Sequence, residues 1–276
     1  MRVIDLDLTD NEKIDIFGLF DVHQGSGNHA AESFQKAINL IKNNAKQRRT
    51  YTILGGDSIA AINYRDKRFN PLEICADYGI KDLKNLPQKQ CDIFLEQIDP
   101  IKNIVLCNIE GNHEEKYALM NGWSPADYIA DQLKVPLLGK SGFVNISFLK
   151  PDGERRLTYV MFVLHGVGGS GSTPAYALNQ VHGIAASYMA DIYWMGHLHT
   201  MVDDMIERTS PYGEKLVRRK AYFGVNGCFE YKDSIGTNGY MEGRKGRQAS
   251  IGILKLTIEP NRSKSDSIVK FEKIWL

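Results

Sequence analysis

Five short apolar runs of the kind that form β-strands each end at residues that commonly bind metal ions. These segments are, in order, Asp21-Val22-His23, Gly56-Asp57, Gly111-Asn112-His113-Glu114, His165-Gly166 and Gly196-His197-Leu198-His199. Together they contain more carboxylate, amide and imidazole ligands than one metal ion needs. The sequence therefore predicts a site for two metal ions, and a site of that kind is typical of phosphoester chemistry.

Strand-like and helix-like patterns alternate through the first two thirds of the chain, which indicates the α/β class. Strands are predicted over 14–20, 50–54, 104–109, 159–164, 192–195 and 221–225. Helices are predicted over 30–43, 88–97, 125–133 and 173–190. The last third, 217–275, is expected to complete a second sheet packed against the first.

The chain shows no repeat and no linker, so we expect a single domain over residues 1–276. One stretch near 63–99 is longer than a single helix requires and is interrupted by turn signals. This pattern predicts an insertion beside the site, and the sequence does not distinguish structural filler from a lid over the substrate.

Composition limits the partners and the compartment. The formal net charge is only +1, so the chain offers no large basic field to hold a DNA duplex. The four cysteines form no CxxC pair, which favours buried, reduced thiols and a reducing compartment. With no signal peptide and no long apolar segment, we expect a cytoplasmic protein without a membrane partner.

Residue types at these strand ends suit metal binding. Alternate residues of an extended segment point to the same side, so Asp21 and His23 are predicted to hold one ion together. Asp57 follows two glycines that allow a sharp turn, and a carboxylate is able to bridge two cations. Asn112 offers a neutral oxygen ligand, and the neighbouring His113 offers a proton carrier.

The ordered series DxH, GD, GNHE, H and GHxH resembles the signature of the calcineurin-like metallophosphoesterase superfamily. The match extends from residue 21 to residue 199. This resemblance implies a four-layer α/β/β/α sandwich of two mixed sheets flanked by helices, with two metal ions at the carboxyl ends of the strands.

The resemblance also implies a role for each residue. It implies that the first ion is held by Asp21, His23 and His199, that Asp57 bridges, and that the second ion is held by Asn112, His165 and His197. His113 would protonate the leaving group rather than bind metal. The mixed nitrogen and oxygen ligands suit two divalent ions, with Mn²⁺ favoured by the resemblance and Fe, Zn²⁺ and Co²⁺ as alternatives. A hydroxide that bridges the ions would attack phosphorus.

One position departs from the family pattern. Many members carry an acidic residue or a histidine three residues after the bridging aspartate, and this chain has Ala60 there. We therefore expect His113 to lack its usual orienting partner, unless Glu114 or a residue of the insertion replaces it.

Three functions are compatible with the sequence. The first is a phosphodiesterase or nuclease that acts on single-stranded nucleic acid or nucleotides, suggested by the basic segment 244–247 and by the aromatic residues Phe229, Tyr231 and Tyr240. The second is a phosphomonoesterase for a small metabolite or a phosphoprotein. The third is a non-catalytic scaffold, which the complete set of ligand positions disfavours. The sequence does not predict the oligomeric state.

Overall fold

The computed structural model of the chain describes residues 1–9, 12–63, 66, 69, 78–169, 173–212, 215–232, 248–261 and 263–276. The strands are β1 (Arg2–Thr9), β2 (Ile14–Leu19), β3 (Arg49–Leu54), β4 (Val105–Asn108), β5 (Ser141–Leu149), β6 (Arg155–Leu164), β7 (Ile192–Met195), β8 (Val202–Tyr212), β9 (Lys215–Val225), β10 (Gly252–Glu259) and β11 (Ile268–Trp275). The α-helices are α1 (Ala31–Ala45), α2 (Leu86–Ile98), α3 (Asn112–Asn121), α4 (Pro125–Leu133) and α5 (Pro174–Ile184).

The strands form two mixed sheets. A five-stranded sheet has the order β11-β10-β2-β3-β4, and its three strands β2, β3 and β4 run parallel. A six-stranded sheet has the order β1-β5-β6-β7-β9-β8, with parallel pairs β1–β5, β6–β7 and β7–β9. β2 and β3 are parallel neighbours in one sheet, and β6 and β7 are parallel neighbours in the other. The carboxyl ends of each pair therefore lie at the same edge of their sheet.

Three hydrophobic cores define four layers. One core lies between the sheets and joins residues such as Ile16 of β2 to Val163 of β6. A second joins the outer face of the five-stranded sheet to α1, α2 and α4. A third joins the outer face of the six-stranded sheet to α5. The α/β/β/α sandwich predicted from the sequence is therefore confirmed.

The local predictions agree with the structure in most places. The helix predicted over 125–133 is confirmed at both ends, and the one predicted over 173–190 ends earlier, at Ile184. Helix α3 was not predicted, because its apolar and polar residues show almost no helical periodicity. Within the described part of the chain, the helices are too short or too polar to cross a membrane.

The prediction for the last third was wrong in part. Strands β8 and β9 do extend the six-stranded sheet, but β10 pairs with β2 in the five-stranded sheet and β11 pairs with β10. Alternating hydrophobicity identifies a strand and its buried face, but it does not identify the neighbour to which the strand pairs.

The centre of the sandwich is filled by large aromatic side chains. Trp194 of β7 is completely buried, stacks on Phe20 at 6.0 Å between ring centroids and contacts the ring of Phe271 at 5.1 Å. Phe20 directly precedes Asp21, so this packing also supports the first ligand segment.

We predict that Trp194→Ala lowers the free energy of unfolding by about 3–5 kcal/mol, because it leaves a cavity between the sheets. Trp275→Ala is the matched control, since that side chain is 60% exposed, and it should cost about 1 kcal/mol or less. Urea unfolding followed by circular dichroism in the presence of EDTA measures both changes. Equal losses for the two variants would contradict the packing described here.

Candidate metal centre

The candidate ligands lie where strands of both sheets end. Asp21 and Asp57 follow β2 and β3 of the five-stranded sheet, and His165 directly follows β6 of the other sheet. Asn112 is the first residue of α3, after β4, and His197 follows β7. The packing of one sheet on the other therefore brings side chains that are distant in sequence into one region.

The backbone at these positions is unusual. Five candidate ligands have positive φ angles: Asp21 (53°), His23 (51°), Asp57 (50°), His197 (68°) and His199 (52°). Left-handed backbone costs about 1–3 kcal/mol for such residues and is concentrated at functional sites. The extended conformation assumed from the sequence for Asp21 and His23 was therefore wrong. The side chains converge because the chain turns at each ligand.

Hydrogen bonds between two loops hold the turns after β2 and β3. The Asp21 N–H donates to the carbonyl of Gly56 at 3.0 Å, and the His23 N–H donates to the carbonyl of Asp57 at 2.9 Å. Gly56 itself has a φ of 88°, and a Cβ there would lie 2.7 Å from the backbone nitrogen of Gly111. The predicted sharp turn before Asp57 thus requires glycine for both its conformation and its packing.

A first cluster contains Asp21, His23 and His199, whose ligand atoms lie within 4.8 Å of one another. Oδ2 of Asp21 accepts a hydrogen bond from the backbone N–H of His197 at 2.7 Å. Oδ1 of Asp21 is buried, has no hydrogen-bond partner among the described residues and lies 3.6 Å from Nε2 of His199. Nε2 of His199 lies 3.2 Å from Nε2 of His23.

A second cluster contains Asp57, His165 and His197. Nδ1 of His165 donates to the carbonyl of Gly55 at 2.9 Å, which leaves its Nε2 facing the cluster. That Nε2 atom lies 3.0 Å from Oδ1 of Asn112 and 3.2 Å from Oδ2 of Asp57. All four side chains that the sequence suggested for the second ion are thus close together.

Asp57 lies between the two clusters. Its Oδ2 atom is 3.2 Å from Nε2 of His165 and 3.9 Å from Nε2 of His23. Its Oδ1 atom accepts the backbone N–H of His113 at 2.9 Å, which fixes the orientation of the carboxylate. This is the placement that a ligand shared by two ions requires.

The donor set fits divalent metal ions. Asp21 and Asp57 are buried, and the ion-pair partners found for them among the described residues are imidazoles rather than lysine or arginine. Two buried carboxylates so close together need positive charge between them, and imidazole nitrogens beside carboxylate oxygens are ligands that transition metals prefer.

The pKa shifts of the clustered residues show that two buried carboxylates favour positive charge beside them. Burial alone would raise the pKa of Asp57, but His165 and His113 lower it well below its ordinary value. Burial would lower the pKa of His165, but the charge and hydrogen bond of Asp57, together with Asp21, raise it to about 10. His23 is different, because burial lowers its pKa to about 4. A neutral His23 has a free lone pair for a metal ion.

His113 does have an orienting partner. Its Nδ1 atom donates to the backbone carbonyl of Ala60 at 2.7 Å, so its Nε2 atom is left free on the side of the site. The acidic or histidine side chain usual at position 60 is absent, as expected, but neither Glu114 nor a described residue of the insertion replaces it; the backbone carbonyl of Ala60 does. The position that lacks a carboxylate side chain supplies its carbonyl oxygen instead.

Glu114 does not orient His113, the role considered for it from the sequence, but binds the backbone of the loop after β3. It is buried, and its two carboxylate oxygens accept the backbone N–H groups of Asp57 at 3.0 Å and Ile59 at 3.2 Å. Burial and the nearby charge of Asp57 raise the pKa of Glu114 to about 8. Glu114 thus stabilises the left-handed turn that carries Asp57.

The predicted insertion contributes a further support. Helix α2 places the buried Gln90 so that its Oε1 atom accepts the N–H of Ala61 at 3.0 Å, where φ is 51°. The sequence gave no signal for this contact. Residues 64, 65, 67, 68 and 70–77 of the predicted insertion lie outside the described part of the chain.

A third carboxylate, that of Glu230, was missed by sequence reasoning. Its Oε2 atom lies 3.9 Å from Nε2 of His23, and its Oε1 atom accepts the hydroxyl of Ser26 at 2.7 Å. Burial would raise the pKa of Glu230, but His23 and His199 lower it. Glu230 belongs to none of the sequence motifs, so no pattern pointed to it.

The sequence suggested that the aromatic residues Phe229, Tyr231 and Tyr240 contact a nucleic-acid substrate. The structure does not support this role for Phe229. That ring is completely buried and packs on Phe34 at 5.1 Å between centroids, so it is not available to a base. Tyr231 is 47% exposed. Tyr240 and the basic segment 244–247 lie outside the described residues.

No protein-family model and no curated protein sequence matches this chain. Solved structures that overlap with it include a predicted phosphoesterase from Streptococcus pneumoniae, with 10% identity over 95% of this chain and 90% of that chain, and a TM-score of 0.38. A Vps29 double mutant from Entamoeba histolytica has 12% identity over 95% of this chain and 99% of that chain, with a TM-score of 0.37.

The NAD nucleotidase of Haemophilus influenzae has 10% identity and a TM-score of 0.40. The overlap covers 95% of this chain but only 49% of the nucleotidase. These likenesses are distant, so the interpretation of the site depends on the residues of this chain.

We predict that Glu114→Gln weakens metal binding by about 10- to 100-fold, because the amide group turns a hydrogen-bond donor toward one of the two backbone N–H groups. Glu115→Gln is the matched control, since Glu115 is partly exposed and pairs with Lys140 at the surface. Isothermal titration with Mn²⁺ measures both affinities. An unchanged affinity in Glu114→Gln would contradict the supporting role of that residue.

Proposed function

We propose that this chain is a metal-dependent phosphoester hydrolase of the calcineurin-like metallophosphoesterase superfamily, and that its substrates are phosphodiesters. The observation that carries this proposal is the placement of Asp57 between two clusters of ligands, with His113 beside it. The ordered sequence motifs and the α/β/β/α sandwich support the same assignment.

The proposal assigns each ligand to an ion. The first ion would be held by Asp21, His23 and His199, and the second by Asn112, His165 and His197. Asp57 would be a ligand of both ions, which we propose to be Mn²⁺. When bound, such ions stabilise negative charge on a phosphoryl group and lower the pKa of water near them.

The protein side chains position these groups. Each carboxylate of Asp21 and Asp57 has one oxygen fixed by a backbone N–H, so the other oxygen keeps a defined direction toward its cluster. His165 is fixed by the carbonyl of Gly55 in the same way. A site fixed in advance requires little reorganisation when charge develops on the substrate.

His113 is the proposed general acid. With its Nδ1–H donated to Ala60, a protonated His113 has its remaining N–H, at Nε2, on the side of the site. Transfer of that proton to the departing oxygen would let the leaving group depart as an alcohol instead of a poorly stabilised alkoxide.

Among phosphodiesters, we propose a nucleotide or a short single strand of nucleic acid. The net charge of +1 is too small for tight binding to a long duplex. Preference for a monoester over a diester, in the assay that follows, would instead select the phosphomonoesterase considered from the sequence.

We predict that His113→Ala lowers kcat by about 10²- to 10⁴-fold for a thymidine dinucleotide, whose leaving group is an alkoxide. The loss should be much smaller for bis(p-nitrophenyl) phosphate, because nitrophenolate leaves without a proton. Rates are measured after EDTA treatment and return of Mn²⁺, with p-nitrophenyl phosphate as the monoester.

Two control variants accompany this assay. His182→Ala removes a histidine of α5 that pairs with Asp204 of β8 and belongs to none of the motifs. This variant should leave both rates unchanged. Asp57→Asn should abolish turnover of every ester. Equal losses for both diesters in His113→Ala would rule out the general acid role, and activity that survives in Asp57→Asn would rule out the proposed centre.

A further inference from the structure

The backbone around Glu230 is fixed to the loop that carries the first cluster. The N–H of Phe229 donates to the carbonyl of Asp21 at 2.9 Å, and the carbonyl of Phe229 accepts the N–H of Ala30 at 2.7 Å. On the other side, the N–H of Tyr231 donates to the carbonyl of Asn28 at 2.9 Å. Glu230 therefore has a defined position relative to Asp21.

The side chain of Glu230 is directed toward the first cluster. Phe229 is completely buried and packs on Phe34, whereas the side chain of Glu230 is only partly buried. The Ser26 hydroxyl holds Oε1 of Glu230 at 2.7 Å, and Oε2 lies 3.9 Å from Nε2 of His23. The side chain is 27% exposed, so it lies between the cluster and solvent.

Glu230 is placed beside the first cluster rather than within it. The ligand atoms of Asp21, His23 and His199 lie within 4.8 Å of one another, and Glu230 belongs neither to that group nor to the second cluster. The cluster thus has its three ligands without Glu230. What this carboxylate adds is a negative charge at the border of the site.

We infer that Glu230 determines specificity by favouring phosphodiesters, which carry one negative charge, over phosphomonoesters, which carry two. This inference rests on the proposed function. Two divalent ions bring a charge of +4, Asp21 and Asp57 reduce it, and Glu230 lowers the remaining positive charge by one further unit. The same carboxylate repels a dianion twice as strongly as a monoanion at the same place.

The test measures binding rather than turnover. Phenylphosphonate is a doubly charged analogue of a monoester, and its monomethyl ester is a singly charged analogue of a diester. Their dissociation constants are measured by calorimetry on the Mn²⁺-loaded protein. In Glu230→Gln, binding of phenylphosphonate should strengthen by about tenfold relative to its methyl ester.

Two control variants separate the local charge from other effects. Glu230→Asp keeps the charge and should keep the ratio of the two dissociation constants within about threefold of the original protein. Glu259→Gln removes a carboxylate that pairs with Lys13 far along the sheet, and it should leave the ratio unchanged. A change in Glu259→Gln equal to that in Glu230→Gln would overturn the inference.

If the ratio of the two dissociation constants in Glu230→Gln stayed within twofold of that in the original protein, the inference would also be overturned. Loss of bound Mn²⁺ from Glu230→Gln would overturn it too, because Glu230 would then be a metal ligand. If Glu230→Gln does not fold, Glu230→Ala decides, because it removes the same negative charge. A shift toward phenylphosphonate in Glu230→Ala supports the inference, and an unchanged ratio overturns it. Absence of hydrolysis in the original protein would refute the proposed function without altering these binding ratios.

Discussion

The structure depends on one electrostatic requirement, which is positive charge between two buried carboxylates. Asp21 and Asp57 lie at the ends of neighbouring parallel strands, beneath loops that exclude water from both. Charges buried in this way are unfavourable unless cations or hydrogen bonds compensate them. The surrounding imidazoles compensate part of this charge, and the raised pKa of His165 is a consequence. Bound divalent ions would compensate the same charges more completely.

The second constraint is conformational. Left-handed backbone at five of the candidate ligands is unfavourable in isolation, and the fold must stabilise it from elsewhere. The loops after β2 and β3 do so through mutual hydrogen bonds, and Glu114 and Gln90 do so from α3 and α2. The helices around the five-stranded sheet therefore serve the site as well as the core.

The alternation of strand and helix patterns identified the α/β class, and the short motifs at strand ends identified the ligand residues. Their division into two clusters followed from the family resemblance. Sequence reasoning did not reach the orienting contact of His113, because a backbone carbonyl such as that of Ala60 leaves no mark in the sequence. Glu230 was missed for a related reason. It lies close to His23 only because the segment after β9 is hydrogen-bonded to the loop after β2. The pairing of β10 with β2 is likewise a property of the tertiary structure.

Titration of the EDTA-treated protein with Mn²⁺, with free Mn²⁺ followed by electron paramagnetic resonance, tests the shared site most directly. The account predicts about two tightly bound ions per chain, with a spectrum broadened by exchange between them. It also predicts that Asp57→Asn loses at least one ion together with that exchange. One tightly bound ion or none in the original protein, or two coupled ions in Asp57→Asn, would contradict a centre built around Asp57.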